Sequence, residues 1–203
     1  MMKIIVIGAT GTLGSAVTRD LEKDHEVIKV GFNSGDIHVD ISDISSIRAM
    51  YEKVGDFDAL VSPTGLVHFG PLTDITQEQW QLGLNNKLMG QINLVMEGLK
   101  HINSGGSFTL TSGIVSQDPI RYGVAATTVC AALEGFAASA ALELPDGVRV
   151  NVVSPTILEE SVELFGSAFS GFEPVPAAVA AKAFRKSVEG AKNGETLYVR
   201  GRV

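Results

Sequence analysis

Hydrophobic positions along the chain alternate between two periods. Short β-branched runs such as Lys3-Ile4-Ile5-Val6-Ile7 read as buried strands. Between them, apolar residues recur at helical spacing: Leu13, Ala16, Val17 and Leu21 in one segment, Ile47, Met50, Tyr51 and Val54 in another. The pattern predicts strands near 3–7, 26–31, 36–41, 58–62, 106–111, 148–153 and 196–200. It predicts helices near 12–23, 44–54, 77–101, 122–143 and 177–191. Thr76 and Gln79 have the spacing of a capping box, with Ile75 and Trp80 placed as a hydrophobic staple, and Gly55 is a stop signal for the second helix. Regular strand–helix alternation implies an α/β fold, a doubly wound parallel sheet of about seven strands with helices on both faces. With no linker, repeat or low-complexity stretch, the chain reads as a single domain over 1–203.

Two connections stand out. From Gly31 to Ile37 there is no room for a helix, whereas parallel neighbours normally need a long crossover. Either the third strand is offset or the loop swings across the sheet edge. The longest irregular stretch, about 156–176, carries Gly166, Gly171, Pro174 and Pro176 and leaves a strand's carboxyl end, where ligands of such sheets sit. It reads as a substrate lid, with a disordered insertion as the other reading.

Composition narrows the partners. A chain of 203 residues, 45% hydrophobic, can bury a substantial core. A net charge of −7 and a pI near 5.1 argue against nucleic acid or an anionic membrane as a partner. The single cysteine, Cys130, allows no internal disulfide and fits a reducing cytoplasm. The apolar run after Lys3 is too short for a signal-peptide core. The Ala-rich stretch 123–144 is interrupted by Thr127, Thr128, Glu134 and Ser139, so it reads as a closely packed helix rather than a membrane span. No metal is expected.

The first strand runs directly into Gly8-Ala9-Thr10-Gly11-Thr12-Leu13-Gly14 and a helix. A strand, a glycine turn and a helix N-terminus in series make an anion site, because free backbone N–H groups and the helix dipole face a phosphate. The context supports a Rossmann-type, dinucleotide-binding reading.

In order, these pieces resemble the short-chain dehydrogenase/reductase family over essentially the whole chain. The glycine turn has the GxxGxxG spacing of divergent members. Asp40-Ile41-Ser42-Asp43 resembles the acidic turn that holds the adenine, and Leu60-Val61-Ser62-Pro63-Thr64-Gly65 stands where the family has its Asn-Asn-Ala-Gly strand end. Phe108-Thr109-Leu110-Thr111-Ser112 resembles the strand ending in the catalytic serine. Val148 to Pro155 resembles the next strand and its Pro-Gly turn, and Gly194 to Val199 the last strand. The resemblance implies an NAD(P)-dependent oxidoreductase of a small carbonyl or alcohol substrate, assembled as a homo-dimer or homo-tetramer through the helices near 77–101 and 122–143. It implies cofactor contacts at Gly8, Thr10, Gly11, Thr12, Leu13, Gly14, Phe32, Asn33, Ser34, Asp40, Ile41, Thr64, Gly65, Pro155 and Leu158.

Departures from the family pattern fall at the chemistry. The family's Tyr-x-x-x-Lys pair, in which the ammonium lowers the phenol pKa, aligns with Ala126 and Cys130. The family's asparagine on the preceding helix aligns with Lys87, which would restore a cation from a neighbouring helix; the other reading is a solvated surface lysine. Ser112 would polarise a substrate carbonyl. Tyr122, one helical turn before Ala126, and His68 are further proton-donor candidates, with a stacked tyrosine and a structural loop histidine as the alternatives. The carboxamide-binding threonine aligns with Glu160, and the Pro-Gly turn becomes Pro155-Thr156. At the end of the second strand, Val30-Gly31-Phe32-Asn33-Ser34 has no carboxylate to repel a 2′-phosphate and no arginine to attract one, so NADP leads NAD narrowly. The alternative is a protein that binds the dinucleotide for a structural or sensory role.

Overall fold

The computed structural model describes residues 1–201. Seven strands form one parallel sheet: β1 (Lys3–Ile7), β2 (Glu26–Gly31), β3 (Ile37–His38), β4 (Phe57–Val61), β5 (Ile102–Thr111), β6 (Arg149–Pro155) and β7 (Thr196–Val199). Their order across the sheet is β3-β2-β1-β4-β5-β6-β7. The order reverses direction between β1 and β4, and such a switch opens a crevice beyond the carboxyl ends of the strands.

Helices cover both faces. On one side α1 (Thr12–Leu21) and α7 (Ala177–Glu189) pack together; their buried core includes Ile4, Val6, Val17, Leu21, Phe184 and Val188. On the other, α2 (Ile44–Val54), the long helix 77–98 and α5 (Val124–Ala140) cover Ile5, Leu60, Phe108, Leu110 and Val152. Short helical turns, including α6 (Val162–Phe165), occupy the 156–176 stretch, where Leu158 and Val175 form an isolated parallel bridge.

The short connection after β2 is resolved by offset. β3 has two residues, and Val30 pairs with Ile37, so the chain steps back only a couple of positions along the sheet, roughly 7 Å at strand rise. Asp36 closes the return: its N–H donates to Lys29 O (2.7 Å), and its carboxylate accepts the Lys29 N–H (2.9 Å). Gly35 makes the bend at φ +109°, with no space for a Cβ, which would stand 2.7 Å from Lys29 O.

The stretch expected as one α-helix near 77–101 contains three segments: α3 (Gln77–Leu82), a π-helical segment (Gly83–Gly90) and α4 (Gln91–Gly98). The Thr76–Gln79 capping box is formed in both directions. Helix α5 begins at Val124 rather than 122, and Tyr122 lies outside it in a left-handed conformation, φ 63°. One face of α5 (Ala125, Ala126, Val129, Cys130, Leu133, Ala137) is buried, while Ala131, Ala132 and Ala138 are exposed. Among the described residues no helix is long and apolar enough to cross a membrane.

Candidate active site

The crevice divides into a wide cavity and a narrow pocket. The wide cavity, about 800 Å³, lies beyond the ends of β1, β2 and β4 and is lined by Gly8, Gly31, Phe32, Asp40, Ile41 and Thr64, with the start of the long helix opposite. Its floor is the glycine turn. Gly8 has φ +80°, and a Cβ there would meet the Thr64 side chain at 2.8 Å. A Cβ on Gly14 would fall 1.8 Å from Gly8 O, so only glycine lets α1 press against the turn. Gly11 is the N-cap of α1 and supplies no side-chain cap, and its own N–H donates to Gly8 O (3.0 Å). The first-turn N–H groups of α1 are thereby left for an anion. Thr12 is exposed at this end, while Leu13 is buried in the core between α1 and the sheet.

At the rim, the hydroxyls of Thr10 and Ser34 are bonded at 2.8 Å and exposed, beside exposed Phe32 and Asn33. The two nearby carboxylates are occupied. Asp36 is turned onto Lys29 N–H, and Asp40 accepts from the Ser42 N–H (2.9 Å) and hydroxyl (2.5 Å).

The narrow pocket, about 130 Å³, lies beyond β5 and β6. Its polar residues are Lys87, Ser112, Cys130 and Thr156; Gly113, Ala126, Pro155 and a wall of Val67, Phe69, Val115, Ile157 and Phe169 complete it. Lys87 is 9% exposed, so it is a buried lysine. Its stem crosses Gly65, which has φ +129° and whose Cβ would stand 2.6 Å from Lys87 Cγ. Among the described residues no carboxylate forms a salt bridge with its amine. Burial pushes the Cys130 thiol up, against the opposing pull of Lys87, so it stays protonated near neutrality. The Thr156 hydroxyl is buried without a hydrogen-bond partner.

Ala126, Cys130, Lys87 and Ser112 therefore meet in one pocket, with Pro155 at its edge. Other expectations change. The Ser112 hydroxyl donates to Glu134 Oε1 (2.8 Å) and is held there, whereas a Cβ on Gly113 would lie 3.6 Å from Cys130 Sγ, facing the pocket. Tyr122 is half-exposed under the Arg121 guanidinium and lines two other clefts, one beside the 167–172 turn and one beside Gly70 and Leu72. It misses the Ser112 pocket because the helix begins after Gly123. His68 lines neither cavity; its ring folds over Gly70, where a Cβ would meet Nε2 at 2.7 Å. Leu158 packs against the α1/α7 core instead of either cavity. Glu160, aligned with the carboxamide-binding threonine, accepts the Ala177 N–H with both oxygens (3.0 and 3.1 Å) and so caps α7.

Two residues escaped the sequence reading. Glu134 accepts from Ser112, Ser116 (2.6 Å) and the Tyr198 phenol (3.1 Å), tying α5 to three separate segments. A lone carboxylate four residues after buried Cys130, on the same helix face, was the available signal. Gln91, fully buried, donates to Lys87 O and Thr111 O (both 3.0 Å) and accepts the Thr111 N–H (2.8 Å). It joins the π segment to the end of β5, and its sequence neighbourhood offered no such sign.

A family model described as enoyl-(acyl carrier protein) reductase matches residues 9–193. With this sheet order, glycine turn and crevice, the chain belongs to the short-chain dehydrogenase/reductase family of oxidoreductases. The crystal structure of the protein lin1944 from Listeria innocua is 53% identical and superposes with a TM-score of 0.96, covering 98% of this chain and 100% of that one. An uncharacterized oxidoreductase of Methylorubrum extorquens is 25% identical over 83% of this chain and 78% of its own length. A tetrahydroxynaphthalene reductase of Pestalotiopsis fici is 32% identical, but the match spans 58% of this chain and only 44% of that protein. A small-chain dehydrogenase crystallised in complex with NADPH shares the fold at 24% identity, with a TM-score of 0.88 over 98% of this chain and 96% of that one.

Proposed function

We propose that this protein is an NADP(H)-dependent oxidoreductase of small carbonyl compounds in which Lys87 replaces a missing Tyr-x-x-x-Lys pair. The observation that carries the reading is a buried lysine without a carboxylate partner, in the pocket that also holds Ala126 and Cys130. The cofactor fits the wide cavity on structural grounds. The turn, packed so closely at Gly8 and Gly14 that neither has room for a Cβ, leads into the free first-turn N–H groups of α1, which suit a pyrophosphate, and Asp40 and Ile41 bound the space for an adenine. NADP is favoured over NAD because Asp36 and Asp40 are engaged elsewhere, leaving Thr10, Asn33 and Ser34 as uncharged neighbours of a 2′-phosphate. The relative crystallised with NADPH supports the same choice.

When bound, NADPH supplies hydride and NADP⁺ accepts it. The ammonium of Lys87 holds the substrate oxygen and the negative charge that develops on it, in an apolar pocket where such pairing is strengthened. Gly65 keeps the lysine stem close to the end of β4, and Gln91 fixes the carbonyl of the same residue. The exposed Ala face of α5 and exposed Met89 and Met96 suit a homo-oligomer, which light scattering at micromolar concentration tests.

The test is titration by NADPH fluorescence, followed by NADPH oxidation against a panel of small carbonyl compounds. Expected are tighter binding of NADPH than NADH and turnover of at least one compound. Failure of both cofactors to bind at millimolar concentration overturns the proposal. A second reading, dinucleotide binding without chemistry, draws on the Ser112 hydroxyl being held by Glu134. It predicts cofactor binding with no turnover across the panel.

A further inference from the structure

The polar inventory of the narrow pocket points further than carbonyl reduction in general. Among the described residues lining it, the only cation is Lys87, and the only buried hydroxyl without a partner is Thr156. Among the described residues lining it there is no tyrosine, histidine or carboxylate, and the neutral Cys130 thiol is held up by burial. The Ser112 hydroxyl donates its hydrogen bond to Glu134. The pocket thus offers one ammonium and one hydroxyl, and no acid tuned to the task.

That inventory discriminates between substrates. Hydride addition to an isolated ketone produces an alkoxide, about as basic as hydroxide and far more basic than a phenolate. A strong, well-placed proton donor must act during that step. Hydride addition to a quinone produces an aryl oxyanion, for which the phenol value of about 10 is the guide, close to about 10.4 for a lysine ammonium. Such an anion is stable as an ion pair with lysine, and its proton can arrive afterwards. The walls agree: Phe69 and Phe169 with Val67 and Ile157 are apolar, and Gly113 and Ala126 leave flat space beside the cation.

Resting on the NADPH-dependent reading above, the geometry points to an aryl-oxyanion site formed by Lys87 and Thr156, and hence to quinones as the substrate class. In the balanced step the quinone takes up a hydride, two electrons and one proton, from NADPH, which becomes NADP⁺. The resulting hydroquinone monoanion is paired with Lys87 and accepts a hydrogen bond from Thr156. One proton from the Lys87 ammonium then completes the hydroquinone, and solvent reprotonates the amine.

Two measurements test this. The first needs no cofactor: 4-nitrophenol is titrated against pH by its phenolate absorbance with saturating protein. The apparent pKa of the bound probe is expected to fall by about one unit or more, and the shift to vanish in Lys87→Met but persist in Lys87→Arg. The second compares blank-corrected NADPH oxidation by tetramethyl-1,4-benzoquinone, which has no open ring carbon for Cys130 to attack, with cyclohexanone. The quinone is expected to have a kcat/KM about 100-fold or more higher, and Thr156→Val to lower it several-fold. Should the lysine variants fail to fold, the probe shift and the quinone-to-ketone ratio of the wild type decide alone. A probe pKa left unmoved, or cyclohexanone reduced as fast as the quinone, overturns the quinone assignment; ketone turnover leaves the broader reading standing. Absence of NADPH binding overturns both.

Discussion

The two ends of the crevice are built in opposite ways. At the wide cavity the anion-binding edge is one continuous turn, Gly8 to Gly14, in which three glycines lead into a helix start. The narrow pocket is assembled from the loop after β4, the π segment, the end of β5, helix α5 and the 156–169 stretch. The first is local and steric: Gly8 and Gly14 have no room for a Cβ. The second is distributed and electrostatic: it depends on where one ammonium is held. A fold that keeps the first while altering the second retains its ligand class and changes its chemistry.

Substitutions separate the two ends. The largest effect is expected for Gly14→Ala, whose methyl would stand 1.8 Å from Gly8 O. The turn must open, with a loss of about 3 kcal/mol of stability in urea unfolding and loss of NADPH binding. Lys87→Ala tests the other end. Turnover should fall about 100-fold, with the NADPH Kd changed by less than about fivefold; equal losses in both would mean that the two ends are not separable. Glu134→Ala leaves the Ser112 and Ser116 hydroxyls without their acceptor and should cost about 2 kcal/mol, read as a lower Tm with NADPH affinity retained.

The smallest effect lies outside both ends. Arg48 and Lys100 hydrogen-bond Glu97 and hold its carboxyl down to about 2. The unfolded chain binds that proton more readily, so the contribution of Glu97 is complete above its unfolded value of about 4.3 and is lost as pH falls toward 2. Both cationic partners are largely exposed, so salt weakens the effect. Tm measured from pH 5 down to 2 should decline less steeply in Glu97→Gln than in the wild type.

The same division governs what was legible in the sequence. Features whose causes lie within a few residues were readable: the glycine turn, the Thr76–Gln79 box, and α2, begun by Asp43, which accepts the Ser45 N–H, and ended at Gly55. The place of Lys87 beside Ala126 and Cys130 was readable, since it followed from alignment along a helix. The hub at Glu134 was not, because its partners lie 18, 22 and 64 residues away. The π segment was hidden because its apolar spacing differs little from that of an α-helix over eight residues. Tyr122 was misplaced by a helix boundary two residues early, which is enough to move a side chain to another face.

That π segment has a consequence for tolerance to length change. A π turn is an α turn that has accommodated an extra residue. Deleting one position there, such as exposed Met89, would let the segment relax to ordinary α pitch while α3 and α4 keep near their present register, so the change would fall on the residues inside the segment, Lys87 among them. Gln91 clasps Lys87 O across this interval, and Gly90 passes within 2.9 Å, measured from its missing Cβ, of Ile41 O in the turn bordering the wide cavity. The number of residues between Leu82 and Gln91 is therefore a dial setting for the azimuth of Lys87. An insertion or deletion there would re-aim the ammonium without altering any residue of the pocket.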